Sequence, residues 1–575
     1  MLIGLTGRLL AAHKGAVLAI VALQLIQTMA TLLLPTLNAA IIDNGIVGGD
    51  VPQIVNLGSW MAVTAGVQVV AAVAAGYLGA VVAMELGRTL REELFATVQS
   101  MSSQEVNAFG AASLVTRVTN DVTQVQNLVV LVFTMLVAAP AIFVGGIALA
   151  VHQDVVLSGI VIAVVPVLAV IMVLIVRRLI PLYRQGQELI DRISRVLREQ
   201  IIGASVIRGF GRQGHEERRF DGANKELTDN NLRSALLVAG MMPMIMLVVN
   251  LSSVGVVWFG GHRIQSGDMR LGALTAFIAY ILQILIAIMM AMYVFMTAPR
   301  AAACAERIQA VLDTTPAVTD GPGVGGPGGN AVEYRNVSFA YPGAEQPVLD
   351  GVTFTAAPGT VTAIIGATGT GKSTLLNLLP RFLDASGGAV SIGGCDVRSL
   401  SLPALRSLVA VVPQHSYLFS GTIAGNLRMA APAATDADLW RVLGSAQAEE
   451  FVRKSPQGLR APVSQGGTNF SGGQRQRLCI ARALLREADV YLFDDSFSAL
   501  DYGTDYRLRE ALRSLLRTAT VLVVAERVAT IMDADLILVL EDGRVVAQGT
   551  HRQLMTSSPS YQEIAASQLV LEETP

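Results

Sequence analysis

The run VTAIIGATGTGKSTLLNLL, residues 361–379, decides the fold of the second half of the chain. VTAII is short, apolar and β-branched, which predicts a buried strand, and STLLNLL predicts a helix. Between them stand Gly366, Ala367, Thr368, Gly369, Thr370, Gly371, Lys372 and Ser373, followed by Thr374. The order fits G-x-x-x-x-G-K-[ST] in the strand-then-helix setting that this pattern requires. The glycines let backbone N–H groups turn inward around a phosphate, and the helix N-terminus adds its positive end. Lys372 is placed to reach the β- and γ-phosphates of a nucleotide, and the Ser373 hydroxyl to ligate Mg²⁺. The bland alternative is a glycine-rich turn that binds nothing.

Two later stretches weigh against that alternative. VYLFDD, residues 490–495, is an apolar strand ending in two acids. A carboxylate at the end of a buried strand is costly without a partner. Asp494 is expected to face the Mg²⁺ from the far side, although either acid alone would also suit a turn cap. The third stretch, Asn469-Phe470-Ser471-Gly472-Gly473-Gln474, opens the helical run RQRLCIARALLR. Ser471, Gly472, Gly473 and Gln474 at a helix start make a second anion site.

The first half is a different solvent problem. The 575 residues are 52% hydrophobic and 15% charged, with a mean hydropathy of +0.53. Soluble domains carry about 25% charged residues. Six nearly charge-free stretches, roughly 15–42, 55–83, 127–150, 155–176, 236–261 and 271–297, reach the length of about 20 residues that a bilayer demands. The first reads as an internal anchor, being too long for a cleavable signal and lacking a small-residue cleavage site. Twelve Lys or Arg lie in 177–233 and none in the turns near 43–53 and 151–154. This places the N-terminus and the loops 84–126 and 177–233 in the cytosol. Arg263 and Arg270 in the turn 262–270 are a mild violation. The two long loops are helix-patterned, so helices two to five are expected to continue past the membrane. The segment TTPAVTDGPGVGGPGGN, 314–330, reads as a linker. The expected organisation is a membrane domain over 1–313, that linker, and an α/β nucleotide-binding domain over 331–575. Net charge is −2 and spread evenly, which argues against nucleic acid. The three cysteines have no metal spacing and read as reduced thiols.

In this order and spacing the motifs resemble the ATP-binding-cassette (ABC) family, whose signature is L-S-G-G-Q, with Phe470 here for the Leu. The likeness runs along the whole chain and is to exporter-type half-transporters. It implies an α-helical membrane domain of six helices joined to an α/β P-loop domain, with ATP and Mg²⁺ as cofactors. It further implies that Tyr341 stacks on adenine and that Gln414 touches Mg²⁺. Ser498 to Asp501 would form the D-loop, and Ser471–Gln474 would close over the ATP of a second half-transporter. SLVTRVTNDV (113–122) and VIRGFGRQGHEERRF (206–220) resemble the loops that carry the coupling helices.

Two positions depart from the family. The general base is a Glu there and Asp495 here, one methylene shorter. Its carboxylate would stand about 1–1.5 Å further from a water at the γ-phosphate, where base catalysis needs contact at about 2.6–3.2 Å. The switch His is replaced by Glu526, an acceptor that repels phosphate. The pattern resembles the degenerate member of a heterodimeric exporter in the bacterial cytoplasmic (inner) membrane. It implies a non-identical partner half-transporter and a hydrophobic or amphipathic substrate, drug-like or lipid-like, moved outward. An importer on the same fold for a siderophore or fatty acid, a lipid flippase and a nucleotide-gated channel stay open. Helices five and six are rich in Met (241, 242, 244, 246, 289, 290, 292, 296), read first as lipid-facing or packing residues. Asn38, Gln68, Asn250 and Gln283 are the polar groups offered for lining a path.

Overall fold

A computed structural model describes residues 2–323 and 326–572. Met1, residues 324–325 of the expected linker and 573–575 of the expected nucleotide-binding domain lie outside the described residues. The chain forms two compact units, Met1–Thr97 with Ala112–Asp313, and Val98–Ala111 with Thr314–Pro575.

In the first unit, among the described residues, six helices are long and apolar enough to cross a bilayer: α1 (Gly4–Ile46), α2 (Val51–Ser100), α3 (Ala111–Gln153), α4 (Val155–Ile202), α5 (Gln213–Gln265) and α6 (Leu271–Leu312). They run 42 to 53 residues. At about 1.5 Å per residue that is about twice the ~30 Å hydrocarbon layer. All six helices, not only the second to fifth, are therefore long enough to extend past the hydrocarbon layer. Pro35, Pro166, Pro181, Pro243 and Pro299 sit inside these helices, where neighbouring helices stabilise the local break.

The loops differ from expectation in one place. The stretch 113–122 lies at the start of α3, not in a separate loop helix. The short helix before it is Ser103–Phe109, some ten residues upstream. Its start is set by a capping box in which Ser102 and Glu105 exchange backbone hydrogen bonds, and its end by Gly110 at φ +77°. The sequence SSQE at 102–105 carried that signal. Of the second stretch, 206–209 fall in the short helix Ala204–Gly209, and α5 begins at Gln213.

Polar side chains fasten the helices. Asp43 Oδ1 accepts from Gly272 N at 2.6 Å. A Cβ at 272 would stand 2.2 Å from Ala39 O, so only glycine permits this α1–α6 contact. Gln283 Nε2 donates to Thr31 O and Gln68 Nε2 to Thr31 Oγ1, both at 3.0 Å. Both glutamines therefore tie α2 and α6 to α1. Arg263 Nε donates to Asp154 Oδ2 at 3.0 Å, which neutralises one of the two cations in the turn that broke the charge rule. Met242, Met244, Met246 and Met296 are exposed, whereas Met241, Met289 and Met292 pack on the helix core.

The second unit contains a six-stranded sheet and a smaller antiparallel one. The strands longer than two residues are β1 (Val332–Phe339), β2 (Leu349–Ala356), β3 (Val361–Ile365), β4 (Gly387–Ile392), β5 (Val409–Val412), β6 (Val490–Asp494), β7 (Thr520–Val524), β8 (Leu536–Glu541) and β9 (Arg544–Gly549). The large sheet runs β9-β8-β3-β7-β6-β5, parallel except for the β8–β9 hairpin. β1 pairs with β2 and β4. Strands β3, β6 and β7 are covered on both faces, which is why their sequences are apolar without alternation. The described residues of 314–330 form no helix or strand, but they are held down: Asp320 Oδ1 accepts from Leu402 N at 2.6 Å and Asn330 O accepts from Thr520 Oγ1.

Asp121 in α3 is fully buried and takes a two-pronged bond from Arg307 of α6, Nη2–Oδ1 2.6 Å and Nε–Oδ2 2.7 Å. Arg307→Met leaves that carboxylate buried and unpaired. Since the arginine is half exposed, the loss belongs near the lower end of the usual range, about 3 kcal/mol. Thermal unfolding of the reconstituted protein should show a clear fall in midpoint, and Asp121→Asn with Arg307→Met together a smaller one.

Candidate nucleotide-binding site

The parallel pairing fixes what meets what. Val524 pairs with Asp494, and Val524 also pairs with Ile364. So β3, β7, β6 and β5 end side by side. The residues just past those ends are Gly366, Glu526, Asp495 and Gln414. Ligands of such sheets bind at the carboxyl ends of the strands, and the row collects the expected site residues other than the adenine aromatic, the signature and the D-loop residue Asp501.

The 366–374 loop has the required shape. Gly366 must lack a side chain, because a Cβ there would lie 2.1 Å from Leu540 O. Gly371 has φ +95° and would press Val348 O at 2.8 Å, whereas Gly369 has φ +90° with open space around it. Lys372 is folded onto its own loop, donating to Gly366 O at 2.8 Å and Ala367 O at 2.7 Å. Burial pushes its ammonium pKa down, while the carboxylates of Glu526, Asp495 and Asp494 oppose the shift. Thr370 Oγ1 donates to Ala367 O at 2.9 Å and so closes the turn around Thr368 and Gly369.

Ser373 Oγ donates to Asp494 Oδ1 at 2.9 Å. Two hard oxygens at that spacing suit Mg²⁺, which takes few protein ligands and completes its shell with phosphate and water. Among the described residues no group of three or more His, Cys, Asp or Glu could cage a metal. Burial raises the Asp494 pKa, against the Ser373 hydrogen bond and Lys372. Asp495 is raised too, first by burial; Ser498 opposes this, and Glu526 and Asp494 add to it. Asp495 stands at φ +44°, and its N–H donates to Val524 O at 3.0 Å. The Glu526 carboxylate is exposed and acts on both Lys372 and Asp495.

Tyr341 follows β1, 41% exposed, with its hydroxyl 3.3 Å from Thr374 Oγ1 and its ring edge-on to Phe339. It therefore stands beside the loop with an open face. Gln414 is exposed beyond β5. Asp501 caps the helix Tyr502–Leu515 by accepting from Thr504 N at 3.0 Å, and the Thr504 bonds lower its pKa. Ser471 and Gln474 form a capping box on the helix Gly472–Leu484, and Ser471 and Gly472 are exposed. Among the described residues no hydrogen bond joins 471–474 to 366–374; the signature faces outward.

Two residues here gave no sequence signal. Gln476 Nε2 donates to Asp495 O at 3.3 Å, linking the signature helix to the acid strand. Gln568 bonds the backbone on both sides of Arg527. Their partners are 19 and 42 residues away, beyond any local pattern.

A unit of long apolar helices and a P-loop sheet with an outward-facing signature defines a nucleotide-driven membrane protein. Comparison with known proteins narrows this. Residues 17–289 match the ABC transporter transmembrane region and 349–498 match the ABC transporter domain. An uncharacterized ABC transporter ATP-binding protein of Mycobacterium tuberculosis is 44% identical over 578 residues, covering 99% of this chain and 98% of that relative. The ATP-dependent lipid A-core flippase of Chromobacterium violaceum is 31% identical over 484 residues, 84% and 83% of the two chains. The structure of a bacterial Atm1-family ABC exporter with ATP bound shares the fold with a TM-score of 0.80 at 24% identity, covering 97% of this chain and 99% of that one. The chain belongs to the ABC transporter family: it is an exporter-type half-transporter, a multi-pass membrane region fused to an ATP-binding ATPase domain.

The loop geometry separates two glycines of the same motif. Gly366→Ala meets a carbonyl and should lower ATP affinity more than tenfold, whereas Gly369→Ala meets only the left-handed penalty of about 1–2 kcal/mol. Titration with a fluorescent ATP analogue should rank Gly366→Ala well below Gly369→Ala.

Proposed function

We propose that this chain is the slowly hydrolysing half of a heterodimeric ABC exporter in a bacterial cytoplasmic membrane. The observation that carries the reading is the pair Asp495 and Glu526 at the ends of neighbouring strands β6 and β7. A short acid where a long base is needed, beside an acid where a donor is needed, impairs one reaction step twice. The parts that hold ATP, by contrast, are well formed.

In this reading Lys372 and the loop amides grip the β- and γ-phosphates, and Tyr341 stacks on adenine. Ser373, Asp494 and Gln414 hold Mg²⁺, which when bound neutralises phosphate charge and orients the leaving group. Asp495 reaches toward the attacking water but stands short of it. Burial raises the Asp495 pKa, so its carboxyl holds its proton to a higher pH than an ordinary Asp. Ser471–Gln474 of this chain closes over the ATP of a non-identical partner, whose own Glu and His carry most of the hydrolysis. Asp501 stays a helix cap whose segment joins the two sites.

The substrate is hydrophobic or amphipathic, and a lipid-like molecule is favoured by relatives named as lipid A-core flippases. The cytosolic placement of the nucleotide unit and of the helix extensions rests on the twelve cations of 177–233. With Arg263 paired to Asp154, the opposite side has one countable cation fewer. Nucleotide closure reopening the membrane cavity to the outside is the work ATP performs here, a shift set by its differential affinity for the two states.

Restoring both positions tests the reading. Asp495→Glu with Glu526→His in the full chain should raise phosphate release about 100-fold, the low end of what a positioned base contributes. Asp495→Glu alone should raise or barely alter it. A double variant no faster than the starting protein would show that these positions do not limit hydrolysis.

A further inference from the structure

Gln568 lies on the helix Pro559–Glu572. Its amide makes two short bonds to the switch segment. Oε1 accepts from Val528 N at 2.7 Å, and Nε2 donates to Glu526 O at 2.7 Å. One planar group thus holds the backbone before and after Arg527. Val528 is also the first residue of the helix Val528–Ile531, whose N-cap Arg527 has no side-chain bond to offer. Gln568 therefore takes the capping role from a distance.

The helix that carries it is anchored. Tyr561 is fully buried with its hydroxyl 2.8 Å from His551 Nδ1, Ala565 is 4% exposed, and Ser560 Oγ donates to Glu541 Oε2 at 3.0 Å. Residues 561, 565 and 568 follow the i, i+4, i+7 spacing of one helix face. Tyr561 and Ala565 belong to the same core as Val523, Ala525, Val528 and Ile531. So a residue fixed by the core grips a segment that ends in an exposed carboxylate, and that carboxylate acts on Lys372.

We infer that Gln568 is a positioning residue that holds Glu526 against the phosphate end of the site, so that the γ-phosphate meets a fixed negative charge. This rests on the proposed role of Glu526. An unheld switch would let the carboxylate swing toward water when ATP binds, and the repulsion would fall. Gln568 touches no nucleotide and acts through the backbone alone.

The test is the affinity of the full-length reconstituted chain for ATP relative to ADP, which lacks the γ-phosphate. Glu526→Gln should raise the ATP:ADP affinity ratio about tenfold, equivalent to about 1.4 kcal/mol. Gln568→Met keeps the bulk and loses both bonds. It should raise the ratio about threefold, leave ADP affinity unchanged, and add nothing in the Glu526→Gln background. Gln568→Asn, polar but too short to reach both groups, should reproduce that shift. If Glu526→Gln leaves the ratio unchanged, the reading of Glu526 fails and the clamp with it. If Glu526→Gln shifts the ratio while both Gln568 variants are silent, or shift it equally in the Glu526→Gln background, the clamp alone is overturned.

Discussion

Parallel pairing of β7 between β3 and β6 is the constraint on which the nucleotide unit depends. The hydrogen-bond register sets Ile364, Val524 and Asp494 level with one another. Strands about 4.8 Å apart then deliver the phosphate loop, Glu526 and the two acids to one edge within the reach of their side chains. The core holds the register: Ile364, Leu492, Leu522 and Val524 are all within 2% of full burial. A slip of one residue would turn those side chains to the opposite face and scatter the site. Chemistry at this edge is therefore secured by apolar packing beneath it.

At that edge Lys372 stands among three carboxylates. Lys372 is desolvated, and Asp494, Asp495 and Glu526 all favour its charged form. The lysine donates to Gly366 O and Ala367 O. A bound nucleotide must draw the lysine off these carbonyls, and a metal ion would offset the acids. Glu526 is the member of this set that such an exchange does not neutralise, since its carboxylate is exposed and no ion pair holds it among the described residues. In the proposed reading, binding with poor turnover follows from the same arrangement. Among the described residues the buried acids outside this edge, Asp121, Asp154 and Asp505, are each matched with an arginine.

The sequence made the local part legible. VTAIIGATGTGKST states strand, turn and helix in consecutive residues, and the apolar stretches state six crossings, because both signals are written within about 20 residues. The first loop helix lies upstream of the motif-like TRVTND because the capping box at Ser102–Glu105 sets its start. The segment 314–330 reads as a free tether from its glycines, yet Asp320 and Asn330 find backbone partners that lie 82 and 190 residues further on. Gln568 and the Asp121–Arg307 pair were beyond reach for the same reason. A hydrogen bond between distant segments leaves no periodicity in either, and only the fold brings the two together.

The account stands on a chain that grips ATP but scarcely cleaves it. The direct measurement is nucleotide occupancy and phosphate release in one preparation of the full-length chain, purified without any other half-transporter and reconstituted in lipid with saturating Mg²⁺ and ATP. The account predicts occupancy near one ATP per chain, with phosphate release at about one hundredth of a general-base-competent rate. Full occupancy with vigorous, sustained phosphate release would contradict it.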